Sequence, residues 1–177
     1  MTDGLDLQGR LVRLRTTTSD DRERLLAIRR TEEVHRRWGG DDLDAEFSDD
    51  LDDHTSHQLT IEATDGAGGE RPIVGLIQFA EEDDPMYRSA SVDLYIDPAH
   101  HRRGYATDAI RTLTDHLFDQ RGHHRITIDP AADNLAAIAC YRAVGFQPVG
   151  VLRAYERQVD GTWADGLLLD FLASDRP

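Results

Sequence analysis

Lysine is missing from this chain of 177 residues, and all 20 of its fixed positive charges are arginine. We read the arginine-only habit as coding bias rather than mechanism. Against 34 aspartates and glutamates these arginines leave a net charge of −14. That balance excludes a general nucleic-acid binder, which needs a basic surface to meet phosphates. It raises the local concentration of cations near any acidic cleft, although solubility alone would also account for it. Cysteine is nearly missing too. The single Cys140 excludes an internal disulfide and fits a reducing, cytoplasmic setting. It reads as a small buried residue beside Tyr141 rather than a nucleophile. No apolar run approaches the about 20 residues of a membrane-spanning helix. The opening MTDGLDLQGR lacks the basic and apolar stretches of a signal peptide, so no membrane partner is expected. The pairs His100-His101 and His123-His124 lack the spacing of a zinc-binding helix, so no metal is expected. No serine sits in a Gly-x-Ser-x-Gly elbow.

What is present is the patterning of one mixed domain spanning 1–177. Leu11 to Arg15 alternates as a strand. Ser19, Asp20 and Asp21 are helix-start residues, and Leu25, Leu26 and Ile28 give the apolar face of the helix that follows. This helix, or a second after a break, runs through Val34 to Trp38 and stops at Gly39-Gly40. The segment 41–53 is densely acidic. It is either a solvated face or a short amphipathic helix built on Phe47 and Leu51, and nothing places it at a cleft. Strands are expected at Leu59–Glu62, Ile73–Phe79 and Ser89–Ile96, the first two joined by the turn TDGAGGER. Glu81 to Pro85 reads as a loop. Ala106, Ala109, Ile110, Leu113 and Leu117 have helical period, with Gly122 ending the element. A short strand, Arg125–Ile128, precedes a helix from about Asn134 to Val144, closed by Gly145. Two strands, Gln147–Gln158 and Thr162–Leu172, meet at Asp160-Gly161. The order β-α-α-β-β-β-α-β-α-β-β predicts an α/β (α+β) architecture, a mixed sheet with helices on both faces.

The chain is organised around VDLYIDPAHHRRGYATD, residues 92–108. A strand breaks at Asp97-Pro98, passes through a basic turn and enters a helix at about Tyr105. Helix starts leave N–H groups unpaired and carry partial positive charge. With Arg102, Arg103 and a backbone bared at Gly104, the turn is a candidate phosphate site.

His101-Arg102-Arg103-Gly104-Tyr105-Ala106 resembles the Gln/Arg-x-x-Gly-x-Gly/Ala signature of the GNAT superfamily of N-acetyltransferases. His101 departs at the first position. Asn134, Ala137, Tyr141, Gly145 and Phe146 resemble that family's second signature, Asn-x-x-Ala-x-x-x-Tyr-x-x-x-Gly-Phe. An ordinary capped helix explains Asn134 and Gly145, but not the placing of Tyr141 and Phe146. The resemblance implies a mostly antiparallel twisted sheet with a splay between its central strands, and acetyl-CoA as cosubstrate. The turn from His101 through Thr107 would hold its pyrophosphate. Asn134 and Ala137 would lie by its pantetheine arm. A main-chain N–H from Val92–Ile96, at Leu94 or Tyr95, would polarise the acetyl carbonyl, and Ile96 would lie against the cofactor. Tyr141 would protonate the departing sulfur; its alternative is a partly buried ring bonded to backbone.

A narrower resemblance is to aminoglycoside 6'-N-acetyltransferases. It rests on Val34-His35-Arg36-Arg37-Trp38-Gly39-Gly40, on Val92-Asp93-Leu94-Tyr95-Ile96 and on Ile128-Asp129-Pro130. It implies Asp93 as base and Asp129 and Trp38 as substrate contacts, the substrate a small-molecule amine. Asp93 could instead be a structural hydrogen-bonding group, and Asp129 a plain Asp-Pro turn. One Trp before Gly39-Gly40 and Leu94 in place of Gln are departures. Other acceptors in keeping with the resemblance are a protein N-terminal amine and a siderophore-type lysine amine. A coenzyme A-binding module without turnover is the non-enzymatic alternative. A homodimer is suggested by analogy with relatives.

Overall fold

A computed structural model describes residues 4–176. Its sheet has eight strands: β1 (Asp6–Gln8), β2 (Val12–Thr16), β3 (Ser56–Ala63), β4 (Ile73–Glu82), β5 (Ser89–Ile96), β6 (Arg125–Ile128), β7 (Gln147–Arg157) and β8 (Trp163–Leu172). They lie in the order β1-β2-β3-β4-β5-β6-β8-β7. Five α-helices complete the fold: α1 (Arg22–Arg29), α2 (Glu32–Trp38), α3 (Leu43–Asp52), α4 (Tyr105–Asp119) and α5 (Leu135–Val144). The architecture is the α/β (α+β) one read from the sequence, with two departures. A three-residue strand, β1, precedes β2. The first helical stretch takes the second of its two expected forms, dividing at Thr31, whose extended backbone (φ −64°, ψ 142°) separates α1 from α2. The strand β4 runs on through Glu81 and Glu82, which the sequence reading left in a loop. The acidic segment does form a helix, its first turn capped by the Asp42 carboxylate accepting from the N–H groups of Asp44 and Ala45.

Helices cover both faces of the sheet. On one, Ala109, Ile110, Leu113 and Leu117 of α4 pack with Val12, Leu14, Leu59, Ile61, Ile77, Phe79 and Val92. On the other, Leu25, Leu26 and Ile28 of α1, Val34 of α2 and Phe47 of α3 pack with Leu76 and Tyr95. Each such side chain contributes about 1.5–3 kcal/mol on burial. The strand β4 serves both faces. Its register with β3 slips between Ile61 and Glu62, so Val74 and Ile77 join the first cluster while Leu76 joins the second.

Six of the seven neighbouring strand pairs are antiparallel; the exception is β5 with β6. It is parallel, with α4 as its crossover, and consists of two residue pairs, Ala90 with Ile126 and Ser91 with Thr127. From Val92 onward the two strands diverge, and β5 keeps only its partner β4. Asp108, in the first turn of α4, accepts from the N–H groups of Leu11 (2.7 Å) and Val12 (3.1 Å), which fixes that helix start against β2. None of the described helices is long and apolar enough to cross a membrane.

Candidate active site

The splay opens onto a cleft of about 680 Å³ between α2, the end of β5, the start of α4 and α5. Its floor is the turn between β5 and α4. Arg102 (φ 61°) and Gly104 (φ 85°) both adopt left-handed backbone, which folds the turn into the concave form that collects N–H groups. Glycine reaches this conformation freely; for Arg102 it costs roughly 1 kcal/mol. From Arg102 to Thr107, six consecutive N–H groups have no acceptor among the described residues. Such donors at a helix start form an anion site.

Asp97 holds the turn. Its carboxylate accepts from Ala99 N (3.0 Å) and pairs with Arg24 of α1 and with His100 Nδ1 (3.3 Å). Burial pushes this carboxyl up, but the Ala99 N–H and the Arg24 guanidinium outweigh it and hold it below the usual range. The His101 ring folds back, its Nε2 lying 3.0 Å from the carbonyl oxygen of Ile96 and its Nδ1 3.5 Å from Glu33 on α2. The departure from Gln or Arg at position 101 therefore leaves the side chain bracing the strand end. Across the cleft mouth, Arg37 of α2 pairs with Asp133 before α5 at 3.0 Å.

The unpaired edge of β5 faces the splay. Asp97 N donates to Val74 O on β4, so by strand alternation the N–H groups of Leu94 and Ile96 point the other way. Leu94 N–H, rather than Tyr95 N–H, is thus the donor on the open side, and it meets the carboxylate of Asp93 at 2.8 Å. Burial pushes Asp93 up to about 7; the Leu94 N–H bond opposes this, and the charges of Asp129 and Glu156 add to it. Tyr141 on α5 is 5% exposed. Its phenol lies well above its ordinary value, from burial first and then from the charges of Asp93, Cys140 and Asp129. Burial likewise raises Glu156. The cleft thus has an arginine-rich end at the turn and an acidic group near Tyr141.

The cleft wall brings together Trp38, Leu94, Tyr95, Ile96, His101, Arg102, Gly104, Tyr105, Ala106, Thr107, Asn134, Ala137 and Tyr141. Three residues singled out in the sequence lie off that wall. Arg103 is electrostatically close to Tyr105, whose hydroxyl donates to Asp65 at 2.6 Å. Asp93 and Asp129 sit within electrostatic reach of Tyr141. Asn134 caps α5, its side-chain oxygen accepting from Ala137 N at 3.3 Å. Trp38 packs edge-on against Tyr95 with ring centres 5.0 Å apart. Cys140 is half-buried, 3.2 Å from the Thr107 hydroxyl, and burial raises its thiol. The acidic helix α3 contributes nothing to this wall; Phe47, Asp50 and Leu51 instead line a small pocket behind Trp38 and Tyr95. Sequence reasoning missed Glu33, Arg37, Tyr155 and Glu156, whose places depend on helix orientation and on an irregularity in β7. Among the described residues no group of three or more His, Cys, Asp or Glu is arranged to hold a metal ion.

Comparison with known proteins agrees with this geometry. The acetyltransferase (GNAT) domain family matches residues 11–147, and the chain belongs to that family. It is 31% identical over 87 residues to N-acetyltransferase 8 of Homo sapiens, covering 48% of this chain and 38% of that protein. It is 33% identical over 72 residues to an aminoglycoside N(6')-acetyltransferase type 1 of Klebsiella pneumoniae, covering 41% of this chain and 35% of that one. The chain therefore spans well under half the length of these two relatives. A structure of spermidine N-acetyltransferase from Vibrio cholerae in complex with CoA and spermine shares the fold, with TM-score 0.77 and 21% identity over 93% of this chain and 97% of that one.

Proposed function

We propose that the protein transfers an acetyl group from acetyl-CoA to a primary amine of a polycationic small molecule, the 6'-amine of an aminoglycoside being the acceptor the residues fit best. The observation that carries this reading is the run of six unpartnered N–H groups from Arg102 to Thr107, one cleft away from a near-neutral carboxyl and a buried phenol. The turn would bind the pyrophosphate. Leu94 N–H, on leaving the Asp93 carboxylate, would donate to the acetyl oxygen as negative charge develops there. Asp93 would take a proton from the attacking ammonium, directly or through water, which its value of about 7 suits. Tyr141, held protonated by burial, would give a proton to the leaving sulfur. The acceptor assignment draws on the aminoglycoside relative, on Trp38 and on the carboxylates of Asp93 and Asp129.

Steady-state assays with acetyl-CoA and a panel of kanamycin, spermidine, N-terminal peptides and lysine test it. Turnover on kanamycin with little on peptides is expected, and cells expressing the protein should tolerate more of the drug. Tyr141→Phe should lower kcat by about 100-fold with little change in KM for acetyl-CoA. Thermal stabilisation by coenzyme A with no turnover on any amine would leave only a binding module.

A further inference from the structure

The strand β7 leaves its ladder where it passes the acidic group. Pairing with β8 runs to Leu152 opposite Gly166 and resumes at Glu156 opposite Ala164, so residues 153–155 are set against Asp165 alone. Ala154 takes φ 47°, and its N–H donates to Asp165 Oδ1 at 2.7 Å. Left-handed backbone is disfavoured for alanine, so the bulge is a strained feature. Its effect is to aim Tyr155. The ring lies against Gly166 of β8, where a Cβ would stand 2.9 Å from Tyr155 Cδ1. Its hydroxyl donates to Asp129 Oδ2 at 2.5 Å. Asp129 follows β6, and in the sheet β8 lies between β6 and β7. The phenol therefore crosses a whole strand, at the one point where β8 carries no side chain, to reach this carboxylate. No arginine or histidine pairs with Asp129 among the described residues. A phenol fixes a carboxylate's direction without neutralising its charge, as an arginine would.

We infer that Tyr155 is a positioning residue, which reaches over Gly166 to hold the Asp129 carboxylate in one orientation toward a cationic amine. The inference rests on the proposed acetyl transfer for its substrate class, but amine binding tests it separately. The variants are Tyr155→Phe, Asp129→Ala and the pair together. In turnover, Tyr155→Phe should raise KM for kanamycin or spermidine about tenfold, as loss of one hydrogen bond to a charged group does. Its kcat, its KM for acetyl-CoA and its melting temperature should stay near wild type. In the Asp129→Ala background the Tyr155 change should be silent. Calorimetric titration of the same two amines into all four proteins gives the same cycle without turnover. If no amine is acetylated but the binding cycle couples, the functional reading fails and this inference stands. It is overturned if Tyr155→Phe matches wild type, if its loss persists without Asp129, or if the wild-type protein takes up neither amine.

Discussion

Asp93 titrates at about 7 because it stands largely away from water, with the charges of Asp129 and Glu156 beside it. Its folded value lies above its unfolded one, so between about pH 4 and pH 7 the native state holds a proton that the unfolded chain has released. Stability is therefore lost as pH rises through that window. Asp93→Asn should gain a few degrees in melting temperature at pH 8 and nothing at pH 4, read by scanning calorimetry. The same variant should lose at least 100-fold in kcat and with it the acid limb near pH 7 in kcat/KM. A carboxylate that favoured stability would show the reverse dependence on pH. At this scale the sequence was informative wherever chemistry fixes a residue in a short motif, as at Gly104, Asn134 and Tyr141. It was silent on Glu156 and Tyr155. They reach the site only because Ala154 breaks the alternation of β7, and nothing in the letters RAYER announces that break.

At the scale of elements, the anion turn depends on how α4 begins. Gly104 provides both the left-handed residue and the bare approach, and a Cβ there would also come within 3.2 Å of Leu11 Cδ1. Gly104→Ala should raise KM for acetyl-CoA at least tenfold while lowering stability by only about 1–2 kcal/mol, measured by initial rates and urea unfolding. Most elements were legible because their apolar residues keep time: α4 with its helical period, β2 and β5 with alternation. What escaped has a physical reason. The strand β1 has three residues and one apolar side chain, too little for any period. The slip in β4 reassigns Val74 and Leu76 to opposite faces, which an uninterrupted alternation would have put together.

Across the whole molecule, the two ends of β5 have opposite duties. The cleft lies at its Ile96 end. At the other, Glu81, opposite Ala90 on β5, gathers Arg121, His123 (2.6 Å) and His57 (3.5 Å). Burial pushes this carboxyl up, but its bonds to Arg121 and His123 outweigh that and hold it at about 2. Its folded value lies below its unfolded one, so it stabilises the fold above about pH 4.5, and that contribution is lost as pH falls toward 2. Glu81→Gln should cost on the order of 2–3 kcal/mol at pH 7, the gap to wild type closing on acidification, with amine affinity unchanged because the change is remote from the cleft. One end of the molecule is thus clamped by compensated charge, while toward the cleft end Asp129 has a phenol and no arginine or histidine as its partner among the described residues.

Because β5 has a neighbour on only one side beyond Ser91, its amides should exchange with heavy water in an odd–even ripple. Asp93 and Tyr95, bonded toward β4, should keep their hydrogens for long times. Ile96, turned to the gap, should surrender its hydrogen quickly, Leu94 more slowly because the Asp93 carboxylate accepts from it, and only these two should slow once a thioester fills the gap. A single strand would then report occupancy residue by residue.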